Sequence, residues 1–591
     1  MRLHTSLYTI YIELRDSGHY LLVHGYTGAI DLVERHVADF LRRGGLVTQE
    51  DIATGRVPLT SETIEILRRR GYLTDRSPLG EREHVKKMAQ LFQKITSKKC
   101  SFLFLVAYDC NFRCPYCFEN SISASGKGWS KKVFSKEMSD RAYQAMLELQ
   151  PNRDQHSRMI TLYGGEPLLA ENYEIVSYVV KQGIKRGYTF SAITNGYDLD
   201  RYASLLGPGM IESVQITIDG MPDTHNKRRI HYLGVSTFNH IMDNVDRVLR
   251  AGVNVSIRVN TDFSNFADLD QLSAVFRDKG WSDMSSFSAY SALVTAAGES
   301  IQCNTVMSRK AKKPETNSSS CGCSSSSTPA TQLIPTIDIP QCSISDVTSV
   351  SSSFRPSRID TTRLTASEKH AEQETPRNSA FDPDAQYIDF DEEEKRIHQL
   401  MIDGRWAEVC NQTVGLELMP RAHFTQQYYD QLKQHPQLKA ISCQDFGIKA
   451  LVKKVLRGEG LMSRRSTFCG AQDGMFIFDP YGDLYTCWEV VGMGKYKVGT
   501  YGEKVVMDKE ELDNWRGRNI STVPACSKCK YAFFCGGGCE AHALLEGRGP
   551  RSPYCDGFPP VFRTVVLEAY KEFVEAPSSI EAEKELRLQC Y

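Results

Sequence analysis

The chain lacks the features that would place it in a bilayer or on a polyanion. Nowhere does it carry a run of about 18 or more apolar residues, the length that crosses a membrane as a helix. Neither sign of charge dominates: 71 Lys and Arg face 72 Asp and Glu, for a formal net charge of −1. That balance argues against bulk electrostatic binding to nucleic acid or anionic lipid. The opening stretch, MRLHTSLYTIYIELRDSGHY, lacks the basic-then-apolar order of an export signal. Cysteine, by contrast, is plentiful, at 18 in 591 residues. Without an export signal, so many thiols point to reduced metal ligands rather than disulfides, and to a reducing, oxygen-poor cytoplasm. The length itself predicts three or four domains.

Three of the cysteines stand close together in Cys110-Asn-Phe-Arg-Cys114-Pro-Tyr-Cys117. A C-x3-C-x2-C spacing brings three thiolates to one loop. Iron–sulfur cubes are normally held by four cysteines, so three leave one iron open to a substrate or cofactor. Three cysteines with a histidine can also hold zinc, and the triplet alone leaves that alternative standing. In its spacing the motif resembles the radical S-adenosylmethionine (radical SAM) superfamily. The resemblance implies a [4Fe–4S] cluster whose open iron chelates SAM.

From about 100 to 300, β-rich segments alternate with helical ones, which predicts a parallel sheet. The strands expected are Phe102–Val106, Ile160–Tyr163, Phe190–Ile193, Val214–Ile218, Val255–Val259 and Phe287–Tyr290, with a helix over Asp140–Leu149 among those between them. In such barrels chemistry gathers at the carboxyl ends of the strands. Here those ends carry Cys110, Cys114 and Cys117, then Gly164-Gly165-Glu166-Pro167, then Thr194-Asn195-Gly196, then Asp219-Gly220, while the fifth strand carries Arg258 and Asn260. Gly164–Pro167 resembles the family's GGEP motif, which implies contact with the SAM amino group. By the same resemblance Thr194 and Asn195 lie near SAM, Thr217 and Asp219 near its ribose, and Arg258 near its carboxylate, a task suited to a guanidinium fork. Each also has a plain structural reading: Gly165 a bulge, Asp219-Gly220 an ordinary turn.

Residues 1–85 read as a separate small domain. Leu7–Leu14 and Tyr20–Val23 look like strands about a turn at Asp16–Gly18. Val33, Val37, Phe40 and Leu41 follow a helical spacing closed by Gly44-Gly45, and a second helix is expected to begin at Thr60 and end at Gly71. The pattern resembles the winged-helix, PqqD-like domains that bind leader peptides by adding them as a strand to a sheet edge. A plain winged helix binding DNA through Arg68-Arg69-Arg70 is the alternative. After the barrel at 95–300, residues 308–384 are rich in serine and read as a disordered insertion, with Cys321, Cys323 and Cys342 in or near its serine tract. Regular structure is expected to resume near Tyr387, in a helical connector over 385–460. A cysteine-rich domain over 461–560 and a closing helix over 561–591 follow.

The carboxy-terminal cysteines are Cys469, Cys487, Cys526, Cys529, Cys535, Cys539 and Cys555. Their spacing resembles the seven-cysteine SPASM signature. A hairpin at Asp479–Gly482 would bring Cys469 near Cys487, and Gly536–Gly538 would let the chain curl between Cys535 and Cys539. Zinc remains an alternative here too, since C-x2-C is a common zinc half-site. The resemblance implies two auxiliary [4Fe–4S] clusters: one on Cys469, Cys487 and Cys539, the other on Cys526, Cys529, Cys535 and Cys555. Cys443, or an open iron, would complete the first.

The fold class expected is thus α/β: a partial (β/α)6 barrel between a winged-helix-like domain and a cluster-bearing domain. The function implied is oxidative modification of a ribosomally made precursor peptide, by a thioether or carbon–carbon crosslink, with flavodoxin or ferredoxin as reductant. A formylglycine-forming sulfatase maturase is the near alternative, disfavoured by the extra amino-terminal domain and by Trp488-Glu489 after Cys487. Peptide epimerisation, with Cys303 or Cys410 as hydrogen donor, and a non-catalytic iron–sulfur regulator are others. No general base stands out among Glu489, Asp483 and His542.

Overall fold

The structure is a computed structural model, and it describes residues 2–15, 17–117, 128–294 and 419–575. The serine-rich insertion, Cys303, Cys321, Cys323, Cys342 and Cys410, and the expected start of regular structure at Tyr387 lie outside those residues.

Six short strands open the chain: β1 (Arg2–Thr5), β2 (Thr9–Leu14), β3 (His19–His24), β4 (Ile30–Glu34), β5 (Val47–Thr48) and β6 (Leu73–Thr74). They form two antiparallel sheets, ordered β5-β1-β6 and β2-β3-β4. Helices Arg35–Arg42, Gln49–Thr54 and Ser61–Arg70 pack beside them. Val33 departs from expectation. It lies in β4 opposite Tyr20, and the helix starts only at Arg35. Val37 and Leu41 do bury one helical face, but β-branched Val33 buries against the sheet. Thr60 caps the third helix, its hydroxyl accepting from the Thr63 amide at 3.1 Å, and Gly71 ends it. Of the three arginines in its last turn, Arg70 is buried against Asp31 at 2.7 Å, while Arg68, exposed, pairs with Glu65.

Helix Pro78–Thr96 leads into the central strands: β7 (Cys100–Ala107), β8 (His156–Gly164), β9 (Thr189–Thr194), β10 (Ile211–Thr217), β11 (Asn254–Thr261) and β12 (Phe287–Leu293). Each pairs in parallel with the next, as the alternating pattern predicts. Helices cover the sheet, so the middle of β7 from Phe102 to Ala107 is buried on both faces and reads as one apolar run. The expected helix over Asp140–Leu149 begins earlier, at Lys136, capped by Ser135.

The sheet is wider than six strands. Beyond β12 lies β13 (Ser442–Cys443), and on the other side β14 (Met475–Phe478) pairs in parallel with β7. An antiparallel ribbon of β15 (Asp483–Tyr485), β16 (Gly499–Thr500) and β17 (Val506–Met507) continues from β14, giving 11 strands in one sheet. The cysteine-rich segment is thereby hydrogen-bonded directly to the barrel. Helices Arg421–Gln434 and Ile448–Leu456 pack against the last described helix, Phe558–Glu575, which buries Val561, Phe562, Val565 and Val566. Among the described residues no helix is long and apolar enough to cross a membrane.

The amino-terminal sheets pack on the rest of the chain: Ile10, Ile12, Leu21, Val23 and Ile30 join the barrel's own buried cluster. Tyr8 and Tyr26 share a buried cluster with Val85, Cys526 and Phe533. The Tyr8 hydroxyl donates to the Ser527 carbonyl at 3.2 Å, and Arg464 donates to the Tyr26 carbonyl at 2.7 Å.

Candidate functional site

The carboxyl ends of β7 to β11 form one rim, and the residues singled out from sequence gather on it. β7 runs through Tyr108 and Asp109 into Cys110. At the end of β8 the two glycines meet this segment closely. A Cβ on Gly164 would lie 2.2 Å from the Ala107 carbonyl oxygen, and one on Gly165 would lie 2.4 Å from those of Tyr108 and Asp109. Gly164 also has φ of 142°, outside the range of other residues. What presses on their missing side chains is the backbone leading to the cysteine loop. The Gly165 and Glu166 amides donate to the carbonyls of Ala107 and Asp109 at 3.0 and 2.8 Å.

Glu166 lies beneath the rim, 1% exposed. Its carboxylate accepts from the Leu168 amide at 2.8 Å, the Thr194 hydroxyl at 2.7 Å and the Asn195 amide at 2.5 Å. Burial nonetheless pushes its pKa up to about 7, with the three donors pulling the other way. Glu166 therefore ties β8 to the end of β9. Asn195 extends the tie: its side-chain amide donates to Asn111 at 2.6 Å and approaches the Cys110 sulfur at 3.9 Å. Pro167 follows in the turn.

Asp219, expected near a ribose, is fully buried. Its carboxylate accepts from the Tyr116 hydroxyl and from the Asn260 amide at 2.9 Å, with Arg228 at 3.8 Å. Its own amide donates to His225 and its carbonyl accepts from Asn265. These contacts fasten the cysteine loop, through Tyr116, to the ends of β10 and β11. Thr217 and Arg258 face each other across β10 and β11, and the Arg258 side chain donates to Asn260 at 2.8 Å.

Sequence reasoning missed Arg229. Its guanidinium donates to the Cys114 sulfur and to the Tyr116 hydroxyl, each at 3.3 Å, and lies 5.1 Å over the Phe112 ring. Burial works against the charge, but Cys114, Tyr116 and Asp219 outweigh it and hold the pKa well above the usual arginine range. No motif marks this residue, because its partner is 115 positions away in the chain.

The thiols suit an iron–sulfur cube. Cys110 is half-buried, and its pKa is raised by loss of solvation, by Glu166 and by the neighbouring thiols of Cys114 and Cys117. The Phe112 amide donates to its sulfur at 3.3 Å. Thiolates packed so close need cations between them, and donors aimed at sulfur are what a cluster's surroundings supply. Among the described residues no three Cys, His, Asp or Glu side chains converge on a single-ion position.

The carboxy-terminal thiols fall into two groups. Cys487 is raised well above its usual pKa by burial and by Cys469 and Cys539. Cys526 is raised by burial and by Cys535, Cys555 and Cys529. The β14–β15 hairpin brings Cys469 and Cys487 together, as its turn residues predict. Gly536, Gly537 and Gly538 all take positive φ, 74°, 89° and 75°, and curl the chain between Cys535 and Cys539. Cys443 sits in β13 with Asp445, Arg421 and Lys449 as its charged neighbours, and burial pushes it up to about 12. Trp488 packs on Tyr163 of β8 at 6.3 Å, which brings the first group towards the rim. Glu489 accepts from the Trp488 indole, Asp483 pairs with Lys497, and His542 packs on Tyr554.

Residues 104–271 match the model of the radical SAM superfamily. The parallel partial barrel and its cysteine rim are therefore a radical SAM domain, and that family implies one [4Fe–4S] cluster and SAM. The chain is similar to the S-adenosylmethionine-dependent nucleotide dehydratase of Psychrobacter lutiphocae, 26% identical over 30% of this chain and 61% of that protein. It is also similar to the GTP 3′,8-cyclase of Campylobacter fetus, 27% identical over 26% of this chain and 43% of that protein. Both matches span less than two thirds of the relative. Among solved structures, native anSMEcpe with bound AdoMet is 16% identical with a TM-score of 0.48, over 80% of this chain and 98% of that one.

Proposed function

We propose that the chain is a radical SAM enzyme that oxidatively modifies a ribosomally made peptide, forming a thioether or carbon–carbon crosslink. The observation that carries this reading is the joining of two thiol-rich regions by one sheet. β7 leads into Cys110, and its neighbour β14 belongs to the hairpin that brings Cys469 beside Cys487. When bound and reduced, SAM would supply a 5′-deoxyadenosyl radical, and the auxiliary clusters a sink for the electron left over.

The chain's own residues would bind and orient. Cys110, Cys114 and Cys117 would hold the SAM cluster. Gly164, Gly165, Glu166 and Pro167 would shape the amino-group end of the SAM position, with Thr194, Asn195, Thr217 and Arg258 around the rest. Asp219 would act from behind, by fixing Tyr116 and the loop. Cys469, Cys487 and Cys539 would hold one auxiliary cluster, and Cys526, Cys529, Cys535 and Cys555 the other. The amino-terminal domain would take the leader of the precursor as an added strand and raise the local concentration of its core. Flavodoxin or ferredoxin would supply electrons in the cytoplasm.

The test begins with anaerobic reconstitution of the full chain. Bound iron and sulfide, and 5′-deoxyadenosine released from SAM with dithionite, are expected; zinc in their place, or intact SAM, defeats the reading. Co-expression with a small neighbouring precursor should then remove a pair of hydrogens per link. An unchanged peptide mass defeats crosslinking.

A further inference from the structure

Arg228 and Arg229 are adjacent in sequence but differently employed. Arg228 is spent on Asp262 at 2.7 Å, on the Asn260 carbonyl at 3.0 Å and on Asp219. Arg229 turns to the cysteine loop instead, with Nη1 on the Cys114 sulfur at 3.3 Å. Its backbone is held there from both sides. The Arg229 amide donates to the His225 carbonyl at 2.7 Å, and its carbonyl accepts from the Thr237 hydroxyl at 3.3 Å. The segment beyond it is stitched to the loop: the Arg113 amide donates to the Ile230 carbonyl at 2.7 Å, and the Tyr232 amide to that of Asn111 at 2.9 Å. Phe112 and His231 form an antiparallel bridge between the two. The residue is 9% exposed, and its Nε–H is buried with no acceptor among the described residues. Cys114, Tyr116 and Asp219 already hold this guanidinium charged, and its spare Nε–H leaves a donor for a further acceptor beside the ligand sulfur.

We infer that Arg229 sets the reduction potential of the cluster held by Cys110, Cys114 and Cys117, making that cluster easier to reduce. The inference rests on the function proposed above. Hydrogen bonds to sulfur and local net charge are what protein surroundings use to move cluster potentials. Out of water, attraction between a fixed cation and an added electron is little screened. Among the described residues the Cys110 sulfur receives neutral donors, from Phe112 and Asn195, and Arg229 is the charged donor among those that reach these two sulfurs. Arg229 is on this account a positioning and tuning residue that does not touch the peptide.

The experiment is a redox titration of the full, anaerobically reconstituted chain, following the EPR signal that changes when SAM is added. Arg229→Met is expected to lower that midpoint and leave the signals that ignore SAM in place. Arg229→Lys, which keeps the charge, should lie between Met and wild type. Formation of 5′-deoxyadenosine with a flavodoxin-strength donor should fall roughly tenfold or more in Arg229→Met, on the scale of one charged hydrogen bond. A stronger reductant should restore most of it. An unchanged midpoint in Arg229→Met with full iron content overturns the inference and leaves the proposed function standing. If Arg229→Met fails to hold iron, Arg229→Gln against Arg229→Lys decides: a lower midpoint for Gln supports the assignment and equal midpoints overturn it. A wild-type chain that takes up no iron overturns both.

Discussion

At Glu166 burial and hydrogen bonding oppose one another, and burial wins. The folded carboxyl titrates near about 7, above the ordinary 4.5 that applies once the chain unfolds. The folded state therefore binds the extra proton between those values. Its contribution to stability is complete at low pH and is lost as pH rises through the folded value. Thermal unfolding of the metal-free chain from about pH 5 to about pH 8 should show a declining melting temperature, and Glu166→Gln should flatten that decline. At all pH the variant should also lose about 1–3 kcal/mol, because an amide nitrogen must replace one oxygen among three donors; urea unfolding measures this. A decline of unchanged slope in Glu166→Gln would place the titration elsewhere. Arg229 belongs to this scale as well. Its importance lies in one long-range contact to a sulfur, which neither periodicity nor motif encodes.

At the scale of elements, Gly165 is where two strand ends are forced together. Gly165→Ala would drive a methyl into two carbonyl oxygens, at 2.4 Å each. We expect iron content per chain to fall sharply in that variant while the amino-terminal domain stays folded, read by iron analysis beside hydrogen exchange. Thr60→Ala should by contrast cost about 1 kcal/mol, the usual loss of a helix cap, with no effect on iron. The barrel strands were legible because each is six residues or more of β-favouring sequence, and five of them end in polar or glycine-rich rim residues. The shortest flanking strands were not. Ser442–Cys443 and Gly499–Thr500 are two residues each, too short for any pattern, and are strands only because β12 and β15 offer them an edge. Val33 misled because a helical spacing ran on from a strand residue. The glycines of the rim were legible as tight places, but what crowds them came from the partner strand and could not be read locally.

Over the whole molecule, the amino-terminal domain and the segment carrying Cys526 and Cys529 share one buried cluster. On the proposed ligand assignment, Cys529→Ser should loosen that floor. Hydrogen exchange should quicken in Thr9–His24 relative to wild type and stay unchanged in the barrel strands. Equal protection in both proteins would mean that the domain holds its place without the metal. The parallel pairing of Met475–Phe478 with Ser101–Phe104 has a further consequence. If both thiol-rich regions carry the clusters proposed above, that ladder ties one sulfur-rich corner to the other, and the gap an electron would tunnel is laid down as the chain folds.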